Sequence, residues 1–142
     1  MPPVIVPPPP PWVDTDVGSP AISGGATYPD SVFTVNGSGS DIWNTSDQCN
    51  FLYQPQTGNF AITARVASEL KVAPYAKAGV MMRESTAGNS IEVSVLLTAT
   101  NGVSMQLRPS AGASSTRRDR LATRCAAAKP PIARTACSRA PA

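Results

Sequence analysis

The 142-residue chain contains no histidine, and this absence excludes several kinds of catalytic and metal-binding site at once. Ser–His–Asp and Cys–His nucleophilic arrangements need an imidazole base, and histidine metal triads need imidazole ligands. Charged residues make up only 15% of the chain and aromatic residues 6%. The three cysteines, Cys49, Cys125 and Cys137, are an odd number without CxxC spacing. A disulfide framework or a zinc site is therefore not expected.

Long hydrophobic runs are also missing. No apolar stretch approaches the ~18–20 residues that a membrane-spanning helix needs, so no membrane span is expected. Residues 1–11 contain seven prolines and no basic side chain, which is not the pattern of a signal peptide. This composition predicts an extended polyproline II linker that tethers a module to neighbouring domains. A disordered end without a partner is the alternative.

The net charge of +3 is distributed unevenly. Residues 1–113 carry five basic and eight acidic side chains, a net charge of −3. Residues 114–142 carry seven basic side chains and one acid, a net charge of +6. A nucleic-acid binder needs a basic face on its folded surface, so we do not expect nucleic acid as a partner. The basic tail lacks aromatic residues and alternation, and it is predicted to be disordered or partly helical.

Short alternating segments separated by turn residues fill residues 12–113. The clearest begins at Ala76, where small and apolar residues alternate with Lys77, Gly79, Met81 and Arg83 in the pattern of a two-faced strand. An Asn-Gly step at 101–102 is a strong hairpin signal. Many short strands at this spacing predict an all-β antiparallel sandwich. The predicted strands are 32–35, 50–54, 60–66, 76–83, 91–98 and 103–107.

Several motifs occur in one order along residues 12–110. They are Ser40-Asp-Ile-Trp-Asn-Thr-Ser-Asp47, Tyr53-Gln-Pro55, Ile62-Thr-Ala-Arg-Val-Ala67, Ala76-Lys-Ala-Gly-Val-Met-Met-Arg-Glu-Ser85 and Asn101-Gly-Val103. Together they resemble the concanavalin-A-like jelly-roll domains that serve as accessory modules of secreted bacterial proteins. The resemblance implies an antiparallel jelly-roll sandwich, an extracellular location and neighbours such as carbohydrate-active catalytic domains.

The chain departs from that family in two places. Cys49-Asn50 stands where the family has an aromatic residue followed by histidine. Further strands, one of them bearing a tryptophan, are replaced by the basic tail of residues 114–142. We therefore expect an incomplete sandwich, truncated or frameshifted after about residue 113, with an exposed apolar face and marginal stability. Translating the other two reading frames downstream of codon 115 tests this hypothesis, which requires a tryptophan-bearing strand pattern there.

The candidate carbohydrate site lies around one loop. Trp43 and Tyr75 are the aromatic rings that could stack on a sugar, and tryptophan folded back on the sandwich is the alternative. Polar groups that could bind and orient the sugar complete the candidate site: Asp41, Asp47, Arg83 and Glu84.

Two other chemistries receive less support. Asp41, Asn44 and Asp47 offer oxygen ligands that suit calcium, although three ligands fall short of six to eight and turn formation explains them as well. Glu84 and Glu92 could approach as the two carboxylates of a glycosidase, but an Arg83–Glu84 surface pair beside a solvated Glu92 is the simpler interpretation. We therefore expect no enzymatic activity. The sequence favours a non-catalytic module that binds a polysaccharide or attaches a larger secreted protein, with a ligand-free structural spacer as the alternative.

Overall fold

The computed structural model describes residues 5–118 and 137–138. Within them the chain forms eleven strands and one short 3₁₀ helix at Pro29–Ser31. The strands are β1 (Val13–Val17), β2 (Gly25–Thr27), β3 (Thr34–Asn36), β4 (Ile42–Trp43), β5 (Ser46–Asp47), β6 (Cys49–Tyr53), β7 (Lys77–Arg83), β8 (Glu92–Thr98), β9 (Gly102–Arg108), β10 (Thr116–Arg117) and β11 (Cys137–Ser138).

One large sheet organises these strands. Its order is β1-β6-β11-β7-β8-β9-β10, and each described pair of neighbours is antiparallel. Two small antiparallel sheets, β2-β3 and β4-β5, accompany it. The prediction of an all-β antiparallel fold is confirmed.

The meander β7-β8-β9 is the part of the fold that the sequence predicts best. Its register places Arg83 opposite Glu92, and Glu92 opposite Arg108. The second hairpin closes at the Asn-Gly step, where Gly102 has φ of 71°, a left-handed conformation that costs glycine little. Alternating residues in three consecutive segments thus become three long neighbouring strands.

The polar face of this meander is the buried face. In β8, Glu92, Ser94 and Thr98 are buried. Val95, on the opposite face of the same strand, is 38% exposed. The expectation of a solvated, outward Glu92 was therefore wrong, since only 3% of this residue is exposed. Alternation established that the strand has two faces, but the layer packed over the sheet determined which face became the inner one.

The small hydrophobic core lies on the same inner face. Its buried members are contributed by β1, β4, β6, β7 and β8: Val17, Ile42, Cys49, Phe51, Met81 and Leu96. Tyr53 packs against this core, and its ring stacks on that of Phe51 with 5.3 Å between the centroids. Six residues make a small core for the area of sheet that they cover.

The predicted strand at 60–66 is not found, because no strand is assigned from 54 to 76. The segment nevertheless keeps a strand-like burial pattern. Ile62, Ala64 and Val66 are half-buried, while Thr63 and Arg65 between them are exposed. The side chains alternate as in a strand, but the backbone has no ladder partner in the described part of the chain.

The tail contains two short strands in its described part. Thr116–Arg117 pairs with β9, and Cys137–Ser138 lies between β6 and β7. Neither strand was predicted from the sequence. The remainder of the predicted disordered or partly helical tail, residues 119–136 and 139–142, lies outside the described residues.

Candidate functional site

A polar pocket of about 260 Å³ opens at one edge of the meander. We call it the Trp43 pocket. The pocket is lined by side chains in or next to the β4-β5 hairpin, the start of β7, the end of β8, and strands β9 and β10. Its lining residues are Asp41, Trp43, Tyr75, Lys77, Thr98, Ser104, Gln106 and Arg117.

Three of the six residues proposed from the sequence for sugar binding meet in this pocket. Trp43 is half-buried, and Tyr75 is 55% exposed, so both present ring surface to solvent. Asp41 lies beside them with a partly exposed side chain. The structure thus brings together the two aromatic residues and one carboxylate that sequence reasoning selected.

Lys77 holds one wall of the pocket in place. Its Nζ donates hydrogen bonds to Asp41 Oδ1 and to the Ile42 carbonyl oxygen, each at 2.8 Å. The same nitrogen lies 5.6 Å from the centroid of the Trp43 ring, a cation–π arrangement. Because the Lys77 side chain is only 4% exposed, this salt bridge is far better shielded than an ordinary surface pair. The indole is therefore positioned by a shielded charge.

Gln106 lines the pocket, and its side-chain carbonyl oxygen accepts no hydrogen bond from the described residues. The residue is 3% exposed, and its Nε2 donates to Ser104 Oγ at 3.4 Å. Its Oε1 is buried and has no partner in the described part of the chain. Ser94, directly opposite Gln106 in the register, also has a buried hydroxyl. Buried polar atoms are nearly always hydrogen-bonded in native proteins, so Gln106 Oε1 is an exception to that rule in the wall of this pocket.

Asp47 and Arg83 lie in a separate, buried ion-pair network. Asp47 Oδ1 accepts from Arg108 Nη2 at 2.6 Å, and Oδ2 accepts from Arg108 Nη1 at 2.8 Å. Arg83 Nη1 reaches the same Oδ2 at 3.1 Å. The Asp47 hydrogen bond, acting against burial, raises the pKa of Arg108. Asp47 and Arg83, which the sequence proposed for sugar binding, do not line the Trp43 pocket, and their charged groups are enclosed and pair with one another.

Glu84 also lies away from the Trp43 pocket. It follows β7 and is exposed, and its backbone N–H donates to Ile91 O at 3.1 Å. The expected Arg83–Glu84 pair is absent from the described contacts, since Arg83 binds Asp47 and two backbone carbonyls. Arg83 and Glu92 are directly opposite in the register and share a face, whereas Glu84 lies beyond the end of β7. Glu84 and Glu92 nevertheless both line a larger groove of about 990 Å³, in which Glu84 is exposed and Glu92 is only 3% exposed.

The candidate calcium ligands are not arranged around a cation. Asp41 Oδ1 accepts hydrogen bonds from Lys77 Nζ and from the Ile42 N–H, and two arginines occupy both oxygens of Asp47. The described residues contain no group of acidic side chains that could hold a metal ion. Three cations, Lys77, Arg83 and Arg108, pair with these two carboxylates.

Five lining residues were missed by sequence reasoning. Lys77, Thr98, Ser104, Gln106 and Arg117 come from strands rather than from the loop that carries Trp43. A signal was present, since polar residues occupy alternate positions of β8 and β9. Such a stripe predicts a shared face, but it does not show that the Trp43 loop folds over that face.

The chain was also compared with known proteins. No family model matches the chain, and no similar curated protein or solved structure was found. Among residues 5–118 and 137–138, no helix is long and apolar enough to cross a bilayer.

Proposed function

We propose that this domain is a non-catalytic module that binds carbohydrate in the Trp43 pocket. The observation that carries the proposal is the combination of two accessible aromatic rings with a buried, unpartnered acceptor, Gln106 Oε1, in one cavity. The motifs resembling concanavalin-A-like accessory domains support the same class of ligand. They also support a role as part of a larger secreted protein.

The chemistry of the pocket suits a sugar. A sugar ring has apolar C–H faces that pack against aromatic rings, and hydroxyl groups around its rim that donate and accept hydrogen bonds. Trp43 and Tyr75 supply the rings, Lys77 and Arg117 are donors, and Gln106 is an acceptor. At about 260 Å³ the pocket is smaller than the ~300–1,000 Å³ typical of drug-sized ligands. The pocket therefore suits a single sugar residue, or the end of a polysaccharide chain, better than a long polymer segment.

The positions of the carboxylates support binding without hydrolysis. Glycoside hydrolysis needs two carboxyl groups about 5–10 Å apart on either side of the scissile bond. Glu84 and Glu92 are both outside the Trp43 pocket, and Glu92 is only 3% exposed. The carboxylate in the pocket, Asp41, already accepts a hydrogen bond from Lys77.

A ligand-free spacer is the second candidate function. The observation that favours it is the shielded Lys77, which holds Trp43 and Asp41 in place without any ligand. In that case the indole would act as a structural clamp between the β4-β5 hairpin and β7.

Pull-down on a panel of insoluble polysaccharides, followed by titration calorimetry with the matching oligosaccharides, separates the two functions. We expect Trp43→Ala to abolish retention, whereas Trp12→Ala, the other tryptophan, should leave it unchanged. Trp12 packs against Phe33 with 5.0 Å between ring centroids and does not line the pocket. Gln106→Met should also weaken binding at least tenfold, since it removes the unpartnered acceptor. Failure of wild type to bind any polymer, or equal loss in both tryptophan variants, would refute the proposal.

A further inference from the structure

Tyr75, the more exposed of the two rings in the Trp43 pocket, lies in a reverse turn just before β7. The Ala76 N–H donates to the Ala73 carbonyl oxygen at 3.0 Å, which closes a β-turn with Pro74 and Tyr75 at its two central positions. Proline is favoured at the first of these positions, because its ring fixes φ near the value that the turn needs. The peptide that joins Pro74 to Tyr75 is therefore the centre of this turn.

The central peptide of a β-turn is the part that can change its orientation. Type I and type II turns differ by rotation of this peptide through roughly half a turn, and type II needs a positive φ at the residue that follows the peptide. Tyr75 does not have a positive φ, so the turn is not of type II. Rotation of the peptide would redirect the backbone at Tyr75 and the ring with it. The contacts of the Pro74 carbonyl therefore determine where the ring lies.

Two donors from the β8-β9 hairpin bind this carbonyl oxygen. Thr100 Oγ1 donates to Pro74 O at 3.0 Å, and Asn101 Nδ2 donates to the same oxygen at 3.1 Å. Asn101 Nδ2 also donates to Thr100 Oγ1 at 3.2 Å, so the three groups form a closed ring of hydrogen bonds. A carbonyl oxygen has two lone pairs, which match the two donors. We call this arrangement the Pro74 clamp.

The clamp is anchored in the meander. Asn101 N donates to Thr98 Oγ1 at 3.0 Å, and the same hydroxyl donates to the Gly102 carbonyl oxygen at 2.8 Å, which holds the tip of the hairpin. Thr98 is itself buried and lines the Trp43 pocket. Ala99 N donates to Ala76 O at 3.2 Å and extends the β7-β8 ladder to the turn. The turn before β7 is thus tied to the hairpin through its backbone as well as through the clamp.

We propose that Asn101 and Thr100 are positioning residues of the Trp43 pocket, which hold the Tyr75 ring in place for a sugar. Neither side chain lines the pocket, so both act through the Pro74 carbonyl and not by touching the ligand. This inference rests on the proposed function of the pocket. A ring that is ordered in advance reduces the conformational entropy that binding would otherwise cost. The clamp therefore contributes to affinity without a ligand contact of its own.

Asn101→Asp and Thr100→Val each remove one donor with little change in shape. An Asp-Gly step favours the same hairpin turn as Asn-Gly, so the turn should be retained. In titrations with cellotetraose, xylotetraose and chitotetraose, we expect each substitution to weaken the binding seen with wild type by about two- to tenfold, the effect of one hydrogen bond. Thr100→Val adds no charge, so a loss in both variants cannot come from the new carboxylate.

Two matched variants should bind as the wild type does. Thr100→Ser keeps the hydroxyl that donates to Pro74, and it is the conservative counterpart of Thr100→Val. Asn89→Asp makes the same chemical change as Asn101→Asp at an exposed residue in the turn at the opposite end of the meander. Unchanged affinity in Asn101→Asp and Thr100→Val, or an equal loss in the two matched variants, would overturn the proposal.

Fluorine NMR of the chain labelled with 3-fluorotyrosine follows the ring directly and needs no sugar. Tyr75→Phe identifies the Tyr75 signal among those of the three tyrosines. We expect Asn101→Asp and Thr100→Val to move this signal toward its position in urea, while the signals of Tyr28 and Tyr53 stay in place. An unmoved Tyr75 signal would overturn the proposal even if the wild type binds a sugar. A wild type that binds no sugar would instead refute the proposed function, and the signal alone would then decide whether the clamp places the ring.

Discussion

Arg108 forms a bidentate ion pair with Asp47, with Nη2–Oδ1 at 2.6 Å and Nη1–Oδ2 at 2.8 Å, and neither side chain has any exposed surface. The pair joins the short β4-β5 hairpin to the end of β9, across 61 residues of sequence. Planar guanidinium matches planar carboxylate, which fixes orientation as well as distance. The layer over the polar face of the sheet is therefore secured by charge as well as by the small hydrophobic core.

Asp47→Asn should be among the most destabilising conservative substitutions in this domain. It removes the anion that two arginines share and leaves both cations enclosed. Breaking a buried pair by removing one partner costs about 3–5 kcal/mol. Denaturant unfolding of the variant should show a loss of this size in the free energy of unfolding.

Glu84→Gln is the matched control for that experiment. It makes the same chemical change at an exposed carboxylate close to the network, where surface substitutions are usually within ~0.5 kcal/mol of neutral. Equal destabilisation by the two substitutions would contradict the role of Asp47.

Glu92→Gln should stabilise the protein at neutral pH. Both carboxylate oxygens of Glu92 are buried, and burial raises the pKa of this carboxyl against the lowering effects of a Ser94 hydrogen bond and of the Arg108 and Arg83 charges, with the negative charge of Asp47 adding to the rise. As pH rises above the unfolded pKa of ~4.3, the unfolded state releases its proton before the native state does. Stability is therefore lost as pH increases through the native pKa.

Melting temperatures measured from pH 4 to pH 8 test whether stability falls as the pH rises. The wild type should lose stability over the lower part of that range, and Glu92→Gln should flatten the loss and melt higher at pH 7. Glu84→Gln should follow the wild-type curve. A wild type that gains stability across the same window relative to Glu92→Gln would show that the arginines, and not burial, dominate the environment of Glu92.

The strands of the meander could be predicted from sequence because their information is local. Alternation over 76–83 and 91–98 and the turn at Gly102 required no knowledge of distant residues. The inner face could not be predicted in the same way, because Glu92, Arg108 and Asp47 become neighbours only through long-range pairing. The strand predicted at 60–66 shows the same division, since its side chains alternate as expected while its backbone has no ladder partner in the described part of the chain.

The candidate site could likewise be predicted only in part from the sequence. Asp41, Trp43 and Tyr75 were identified by residue type, and the structure places them in one pocket. Asp47 has the same residue type as Asp41 and lies six positions away, but it pairs with Arg108. Nothing local distinguishes the two aspartates, because the difference is set by a strand 61 residues further along the chain.

Gly79→Ala should destabilise the centre of the meander. A Cβ at this position would overlap the carbonyl oxygen of Val95 on β8, and β7 could accept it only by moving away from its partner. Overpacking of this kind typically costs about 1–3 kcal/mol. Gly25→Ala is the control, since the nearest atom to its new Cβ would be Asp14 Oδ2 at 3.8 Å, an ordinary contact. Thermal melts of the two variants should differ clearly, and equal melts would show that β7 and β8 are not paired as described.

The outer face of the meander should drive self-association. β7, β8 and β9 present only small or apolar residues there, and Val95 and Val103 are 38% and 45% exposed. A continuous exposed apolar surface is a hazard for aggregation. Val95→Lys should therefore lower the sedimentation coefficient or light scattering at high concentration, with a change in stability of less than ~0.5 kcal/mol. Val13→Lys adds the same charge at a residue that is 41% exposed on the edge strand β1. If both substitutions reduced association equally, net charge would be the cause rather than this face.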